Sequence, residues 1–391
     1  MVEWKKLGEI AVVQKKKNKQ HVTENAYSIT QAGLVPTKSF FKEKTHVTSS
    51  DTSGYYIVEK DWFVYSPSRI DVGSINYLKD EGPVIVSPID VAFSIDKSIC
   101  LPSYLLCFFF TYQGKAALLK NREGVEGMGR RNLPFDSIKS MLIPIPSLSE
   151  QARIVGILDT FTASIDNLKA QIAQRRKQYE HYRDQLLDLK GKEGVEMKTL
   201  GEVVISLKTG LNPRKNFVLN TPDSDLPYIT GKDIFNNTIN ISDKTDKINK
   251  AALVLINKRA CLEKDLILFA STGTGTVGRM AIIEEYNNDW GISETLYSLK
   301  LKDGYISKFI MYLLYSNSVK RQYEPKISKG SVPHLKVVDL LNVILYIPSL
   351  SEQSRIVSIL DTFEASIQNL EAQLKQREKQ YEYYRNKLLT F

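Results

Sequence analysis

Apolar residues recur at spacings of four and three along two stretches of the chain. In the first they are Ile154, Leu158, Phe161, Ile165, Leu168, Ile172, Tyr179, Tyr182 and Leu186. In the second they are Ile356, Leu360, Phe363, Ile367, Leu370, Leu374, Tyr381, Tyr384 and Leu388. That spacing predicts two helices, each with a heptad seam suited to coiled-coil packing. Each seam is interrupted once, by Arg175 and by Arg377, at the same relative position. Ahead of each stands Pro-Ser-Leu-Ser-Glu, which predicts a capping box: Ser147 with Glu150, and Ser349 with Glu352. Residues 145–187 and 347–389 align without a gap, and about three positions in four are identical. Two copies are too few for a solenoid. A narrow stripe of Leu, Ile and Tyr needs a matching stripe to cover it, so the two copies are expected to pair. A helix of about 40 residues at about 1.5 Å per residue spans roughly 60 Å.

The repeat has a second part. Leu7-Gly8-Glu9 near the start matches Leu200-Gly201-Glu202 after the first helix. Between these frames the pattern changes to short apolar runs punctuated by Gly, Pro, Asn and Asp. Strand-like runs lie at 55–58, 61–65 and 83–86, followed by a helical stretch at 101–119. The second insert has runs at 227–230, 265–270 and 280–283, then a helical stretch at 306–315. The inserts share almost no sequence, and neither alternates strand and helix regularly, so a doubly wound sheet is not expected. The expected class is α+β: two mixed α/β domains, 1–145 and 197–347, separated by two long helices, 146–190 and 348–391. A joint at 191–196 carries Gly191 and Gly194, which stop the first helix. The helices are expected to form an antiparallel coiled coil with pseudo-two-fold symmetry.

Charge sharpens this division. Of the formal +9, residues 1–145 hold 19 Lys+Arg against 15 Asp+Glu (+4), and residues 197–347 hold 20 against 15 (+5). The two helices and the joint balance at 14 against 14. A basic excess confined to the inserts suits a polyanionic partner. No apolar run reaches the length of a bilayer span, and the N-terminus lacks the apolar core of a signal peptide. Cys100, Cys107 and Cys261 form no CxxC pair. Reduced thiols in a cytoplasmic protein are expected.

The familiar catalytic patterns are missing. Gly273-Thr274-Gly275-Thr276-Val277-Gly278 fits GxGxxG, but strand-like Ala281-Ile282-Ile283 follows where a phosphate loop requires a helix N-terminus. A glycine-rich hairpin is expected instead. Asn212-Pro213-Arg214 lacks the second proline and the aromatic of an amino-methyltransferase tetrapeptide, and no D/E-x-K triplet stands shortly after Pro222-Asp223. His21, His46, His181 and His334 have no metal-site or triad spacing. What remains are loops mixing cations for phosphates with small polar groups for base edges. The candidates for DNA contact are Lys15, Lys17, Lys19, Arg130, Arg131, Asn132, Lys208, Thr209, Asn212, Arg214, Lys215, Ser271, Thr272, Thr274, Lys329, Ser331 and His334.

Leu-Gly-Glu at the opening of each insert, Ile-Pro-x-Leu-x-Glu-Gln at each helix start and Tyr-x-x-Tyr-Arg-x-x-Leu-Leu at each helix end together resemble the specificity subunit of type I restriction–modification systems. The resemblance covers essentially the full length. It implies two target-recognition domains, each reading one half of a bipartite, asymmetric site in double-stranded DNA, with the helix pair as the ruler between them. It implies no catalysis in this chain: two modification subunits perform adenine methylation, and restriction subunits complete the endonuclease. S-adenosylmethionine, ATP and Mg are accordingly expected only in those partners. By motif position, Ser149, Glu150, Gln151 and Arg153, with Ser351, Glu352, Gln353 and Arg355, are candidates for the helix frame and for subunit contacts. Competing readings are the equivalent subunit of another bipartite-site restriction class, a self-sufficient DNA methyltransferase or nuclease, and a coiled-coil scaffold that binds no DNA.

Overall fold

A computed structural model describes residues 2–30, 33–40, 51–70, 73–121, 132–285 and 289–391. In chain order the elements that frame the first half are β1 (Glu3–Lys6), β2 (Ala11–Gln14), β3 (Phe63–Tyr65), β4 (Ile75–Tyr77), β5 (Val91–Ile95), α1 (Pro102–Phe109), α2 (Tyr112–Lys120), β6 (Leu142–Ile145) and the long helix α3 (Leu148–Leu186). The second half gives β7 (Glu196–Thr199), β8 (Val204–Thr209), β9 (Ile267–Ala270), β10 (Met280–Ile282), β11 (Leu296–Leu301), α4 (Ser307–Tyr315), α5 (Asn317–Tyr323), β12 (Ile344–Ile347) and the long helix α6 (Leu350–Leu388). The chain divides into two compact units, 1–170 with 371–391, and 171–370. Each unit therefore contains a segment of both long helices.

The inserts share a topology that their sequences do not announce. The first unit holds a four-stranded antiparallel sheet in the order β2-β5-β3-β4, and the second holds one in the order β8-β11-β9-β10. Each is followed by a pair of helices and closed by a two-stranded ribbon, β1 with β6 and β7 with β12. The helical stretch expected at 101–119 is two helices, because Thr111 starts a second one, its hydroxyl accepting from Gly114 N at 2.9 Å. The glycine-rich segment 273–278 is the expected hairpin: β9 and β10 pair antiparallel across it, with no helix behind. At the joint, Gly191 and Gly194 stand at φ +76° and +70°, a conformation in which a Cβ is strained.

The opening motif has a physical basis in both copies. Leu7 and Leu200 are fully buried, and their amides donate to Met141 O and Val343 O at 2.8 Å, tying each opening to the end of its own insert. The glutamates cap the short turn that follows: Glu9 accepts from Lys6 N at 3.1 Å, and Glu202 from Thr199 N at 2.7 Å.

The long helices are held in two ways. At their ends they sink into the α+β cores. Ile154, Leu158 and Leu389 join the core of the first unit; Leu187, Leu189, Ile356 and Leu360 join that of the second. Between those ends the helix segments run antiparallel within each unit. In the first, Phe161 stacks on Tyr384 with centroids 5.3 Å apart, and Lys169 pairs with Glu378 at 3.9 Å. In the second, Tyr182 stacks on Phe363 at 5.4 Å, and Tyr179 donates to Glu364 at 3.0 Å. The arginines that break the seam belong to this packing: Arg377 lies over the Phe161 ring at 5.7 Å and Arg175 over Phe363 at 6.0 Å. Each is a cation–π contact.

The helix starts differ from the predicted capping box in one respect. Ser147 and Ser349 accept from Glu150 N at 3.3 Å and Glu352 N at 3.4 Å, as expected. The carboxylates do not reach back; each forms a two-point ion pair one turn on, Glu150 with Arg153 and Glu352 with Arg355. A guanidinium fork outcompetes a single backbone amide for a carboxylate. Ser149 and Ser351 are exposed, each 3.0 Å from the preceding cap serine. Gln151 and Gln353 are buried instead. Gln151 accepts from Leu101 N at 2.8 Å and donates to Ile99 O and Pro146 O; Gln353 accepts from Ile306 N at 3.1 Å and donates to Gly304 O and Pro348 O. These amides bind each helix start to the loop before α1 or α4.

Replacing Gln151 with Leu leaves Leu101 N, Ile99 O and Pro146 O without partners and is expected to destabilise the first unit by about 1–3 kcal/mol. Arg153→Ala should leave the midpoint unchanged. Thermal unfolding followed by circular dichroism checks both; equal midpoints for Gln151→Leu and the parent would remove the anchoring role.

Candidate nucleic-acid interface

The sheet registers decide which loops meet. In the second unit Thr209 lies opposite Tyr297, and Ala270 opposite Leu296. The end of β8, the start of β11 and the end of β9 therefore share one edge of the sheet. Gly210 permits the chain to leave it, because a Cβ there would sit 1.6 Å from Ile292 O. Lys208 and Thr209 close β8, and Asn212 caps the turn Pro213–Asn216, accepting from Arg214 N at 2.9 Å. Arg214 and Lys215 are exposed on that turn.

The hairpin after β9 is laced to the loop 327–335. Leu335 N donates to Ser271 O at 2.9 Å and Gly273 N to Pro333 O at 3.0 Å, while Thr272 Oγ1 and His334 Nδ1 lie 2.7 Å apart. Thr274, Lys329 and Ser331 are exposed on these two segments. Ser271 is not available for contact: it is fully buried and its hydroxyl donates to Thr295 O at 2.9 Å, so it braces the hairpin. Thr209 is likewise engaged, receiving Arg259 Nη2 on its hydroxyl at 3.0 Å and Nε on its carbonyl at 3.1 Å.

The first unit repeats the arrangement with other residues. Gln14 lies opposite Ala92, and Tyr65 opposite Val91, so the segment after β2 emerges beside the end of β3 and the start of β5. Segment 15–19 is strapped down by Ile57 N to Lys16 O at 2.8 Å and Asn18 N to Tyr55 O at 3.0 Å. Asn18 is buried, whereas Lys15, Lys17 and Lys19 are exposed. Asn132 is exposed at the same edge, because the next residue, Leu133, accepts the Tyr65 hydroxyl at 2.8 Å. In the second unit Leu335, next to His334, accepts the Tyr297 hydroxyl at 2.7 Å. Arg130 and Arg131 lie outside the described residues.

Lys15, Lys17, Lys19, Lys208, Arg214, Lys215 and Lys329 form no ion pair with another described residue, whereas Lys16 pairs with Glu59 at 3.2 Å. Cations without internal partners are free for phosphates. Three groups at these edges escaped the sequence reading: Arg259, Arg69 and Asp90. Arg259 is distant in sequence from Thr209, whereas Arg69 follows β3 and Asp90 precedes β5; the sheet register brings those two strand ends together. Asp90, 8% exposed beside Ser66 and Arg69, has its carboxyl pushed up to about 7 by burial, against the Ser66 hydrogen bond and the Arg69 charge. Among the described residues no group of three or more His, Cys, Asp or Glu is placed to hold a metal ion.

This geometry defines a class: a duplicated α+β chain on two long helices, each half presenting an unpaired cationic loop cluster at one sheet edge. The chain belongs to the family described as type I restriction modification DNA specificity domain, whose model matches residues 1–175 and 192–378. It is 30% identical over 270 residues to the EcoR124I/EcoR124II type I restriction enzyme specificity subunit of Escherichia coli, a match spanning 65% of this chain and 64% of that protein. A putative type I restriction enzyme specificity subunit of Haemophilus influenzae is 29% identical over 287 residues, 68% of each chain. Among solved structures, a chain from a study of type I R-M complex assembly and conformational transition superposes with a TM-score of 0.63 at 17% identity, covering 99% of this chain and 96% of its own. The type I S subunit of M. genitalium gives 0.54 at 14% identity, covering 100% and 96%. These two likenesses establish the shared fold.

An acid whose folded pKa is raised destabilises the fold once ionised. The Asp90 contribution is therefore most favourable below the unfolded value of 3.8 and is lost as pH rises through about 7. Asp90→Asn is expected to raise the unfolding midpoint at pH 8, with the gap over the parent narrowing toward pH 4. A gap independent of pH would show that Asp90 ionises normally.

Proposed function

We propose that this chain is the DNA-reading, subunit-organising component of a type I restriction–modification complex. Residues 1–145 form one target-recognition domain and 197–347 the other, each taking one half of a bipartite, asymmetric site. The helices 146–190 and 348–391, with the joint 191–196, set the spacer and carry the subunit contacts. One observation carries the reading above all: two inserts of unrelated sequence bring unpaired cations and small polar groups to the same edge of the same sheet. Identical mounting with different contact residues is what two readers of different half-sites require.

The cations Lys15, Lys17, Lys19, Lys208, Arg214, Lys215 and Lys329 are assigned to phosphates. Asn132, Thr274, Ser331 and His334 are assigned to base edges, Thr272 to holding the His334 ring, and Asn212 to shaping its loop. Arg130 and Arg131, on the sequence pattern alone, join the phosphate set. The exposed faces of Ser149, Glu150 and Arg153, and of Ser351, Glu352 and Arg355, suit partner contacts, whereas Gln151 and Gln353 serve the frame. The complex then contains two modification subunits and the restriction subunits, which supply the S-adenosylmethionine, ATP and Mg chemistry in the cytoplasm. This chain itself is assigned no catalytic step.

The test uses mixed-sequence duplex DNA and labelled S-adenosylmethionine. The chain alone is expected to transfer no methyl group. With the modification subunit encoded beside it, adenine methylation should appear at one split motif. Transfer by the chain alone, or methylation without sequence preference in the mixture, would overturn the assignment.

A further inference from the structure

The loop cluster of the second unit contains one ring whose inner nitrogen is held by a short side-chain contact. Both sides of the His334 backbone are held: its amide donates to Ser328 Oγ at 3.0 Å, and its carbonyl accepts from Ser328 N at 3.0 Å. An isolated antiparallel bridge joins it to Thr272. The ring is half-buried, and its Nδ1 is the atom facing Thr272 Oγ1 at 2.7 Å. The partner of one ring nitrogen decides where the proton sits on the other.

The Thr272 hydroxyl has one proton to give. Its other protein neighbour is Ser271 Oγ, at 3.4 Å, outside the usual range of about 2.5–3.0 Å for an O–H···O bond. Ser271 cannot return a proton either, since its own goes to Thr295 O at 2.9 Å. In the tautomer that gives the Thr272 proton its one short protein acceptor, Nδ1 of the neutral ring accepts it. Nε2 then carries N–H. Should the ring gain a second proton, Thr272 becomes the acceptor and Nε2 is still N–H. In both protonation states the outer nitrogen is a donor, and it has no hydrogen-bond partner among the described residues.

Building on the DNA-reading role proposed above, we infer that His334 Nε2–H is a specificity-determining donor that reads guanine in the half-site of the second unit. The choice of base follows from the major-groove edges. Guanine presents two adjacent acceptors, N7 and O6. Adenine places the N6 donor beside its N7, thymine flanks O4 with a methyl group, and cytosine offers a donor. A fixed N–H meets an unopposed acceptor edge only on guanine. Exposed Lys329 on the same loop supplies a neighbouring phosphate contact, and Ser331 with Thr274 on the facing hairpin stands beside it toward the base edges. Thr272 is the positioning residue, acting through the ring.

The experiment uses the full chain assembled with its modification subunits, on duplexes carrying the mapped motif. Each guanine of the second half-site is replaced in turn by 7-deazaguanine, which lacks the N7 acceptor. Inosine, which keeps N7 and O6, serves as the control. At one guanine the deaza base should weaken binding roughly tenfold while inosine does not. His334→Ala should bind the normal duplex roughly tenfold more weakly and lose that deaza sensitivity. Its salt dependence should stay that of the parent, because no phosphate contact is lost. Thr272→Val frees the ring to take either tautomer and should reduce the preference for guanine over adenine at the same position. Independently of DNA, ¹⁵N-histidine spectra should show His334, identified by its loss in His334→Ala, as the Nε2–H form. An Nδ1–H ring, or deaza sensitivity at every guanine unchanged in His334→Ala, overturns the inference and leaves DNA reading intact. Parent complex without any sequence preference removes both.

Discussion

A long helix with a narrow apolar stripe cannot cover that stripe itself, and the rest of this structure follows from how the stripe is covered. Its ends are sunk into folded cores, where Ile154, Leu158, Ile356 and Leu360 are at most 1% exposed. Its middle is covered by an antiparallel segment of the other copy within the same unit. Because the helices are near-identical, the covering contacts recur: Phe161 on Tyr384 under Arg377, and Phe363 on Tyr182 beside Arg175. The arginine that looks like a defect in the heptad is a planar cation laid on an aromatic face. It keeps the seam closed where an aliphatic residue would have made it continuous.

That constraint explains what was legible in the sequence. The helices, their starts and their pairing follow from periodicity, because burying a stripe is a local demand repeated every turn. The opening Leu-Gly-Glu motif was visible as a repeat, but its purpose needed the fold: Leu7 and Leu200 fasten each opening to the far end of its own insert through Met141 and Val343. The common sheet order of the two inserts was not legible. Strand order rests on long-range pairing, and the pairs Gln14 with Ala92 and Thr209 with Tyr297 leave no short-range trace. The same holds at the loop clusters. Lysine runs and Asn-rich turns were found by composition, whereas Arg259 reaches Thr209 across fifty positions of sequence. Ser271 shows the opposite failure, since a small polar residue in a polar loop carries no sign of whether it faces water or a buried carbonyl.

The two inserts also show that position in the fold is kept by physical requirement and not by residue identity. In both units a loop must end at a buried leucine whose carbonyl has left water. An unpaired buried carbonyl is costly, so each unit brings a tyrosine hydroxyl to it. In the first unit the tyrosine is Tyr65, on β3; in the second it is Tyr297, on β11, which corresponds in sheet order to the neighbouring strand β5. Different strands solve one problem, and the residue before each leucine, Asn132 or His334, is held at the corresponding edge.

Divergence enters where the helix copies differ. Thr162 of the first copy corresponds to Glu364 of the second, and that carboxylate accepts from Tyr179 at 3.0 Å and from Asn237 at 2.8 Å. Asn237 belongs to a tight turn, Asn236 and Asn237 both standing at positive φ, between the paired strands Ile234–Phe235 and Thr238–Ile239. Asn tolerates that conformation better than most residues and brings an amide donor with it. A single glutamate thus fastens an insert-specific hairpin to the shared helix. A duplicated frame can hold two different inserts on such terms: the seam is kept by the repeat, and fastening residues are added singly on the face that each insert covers.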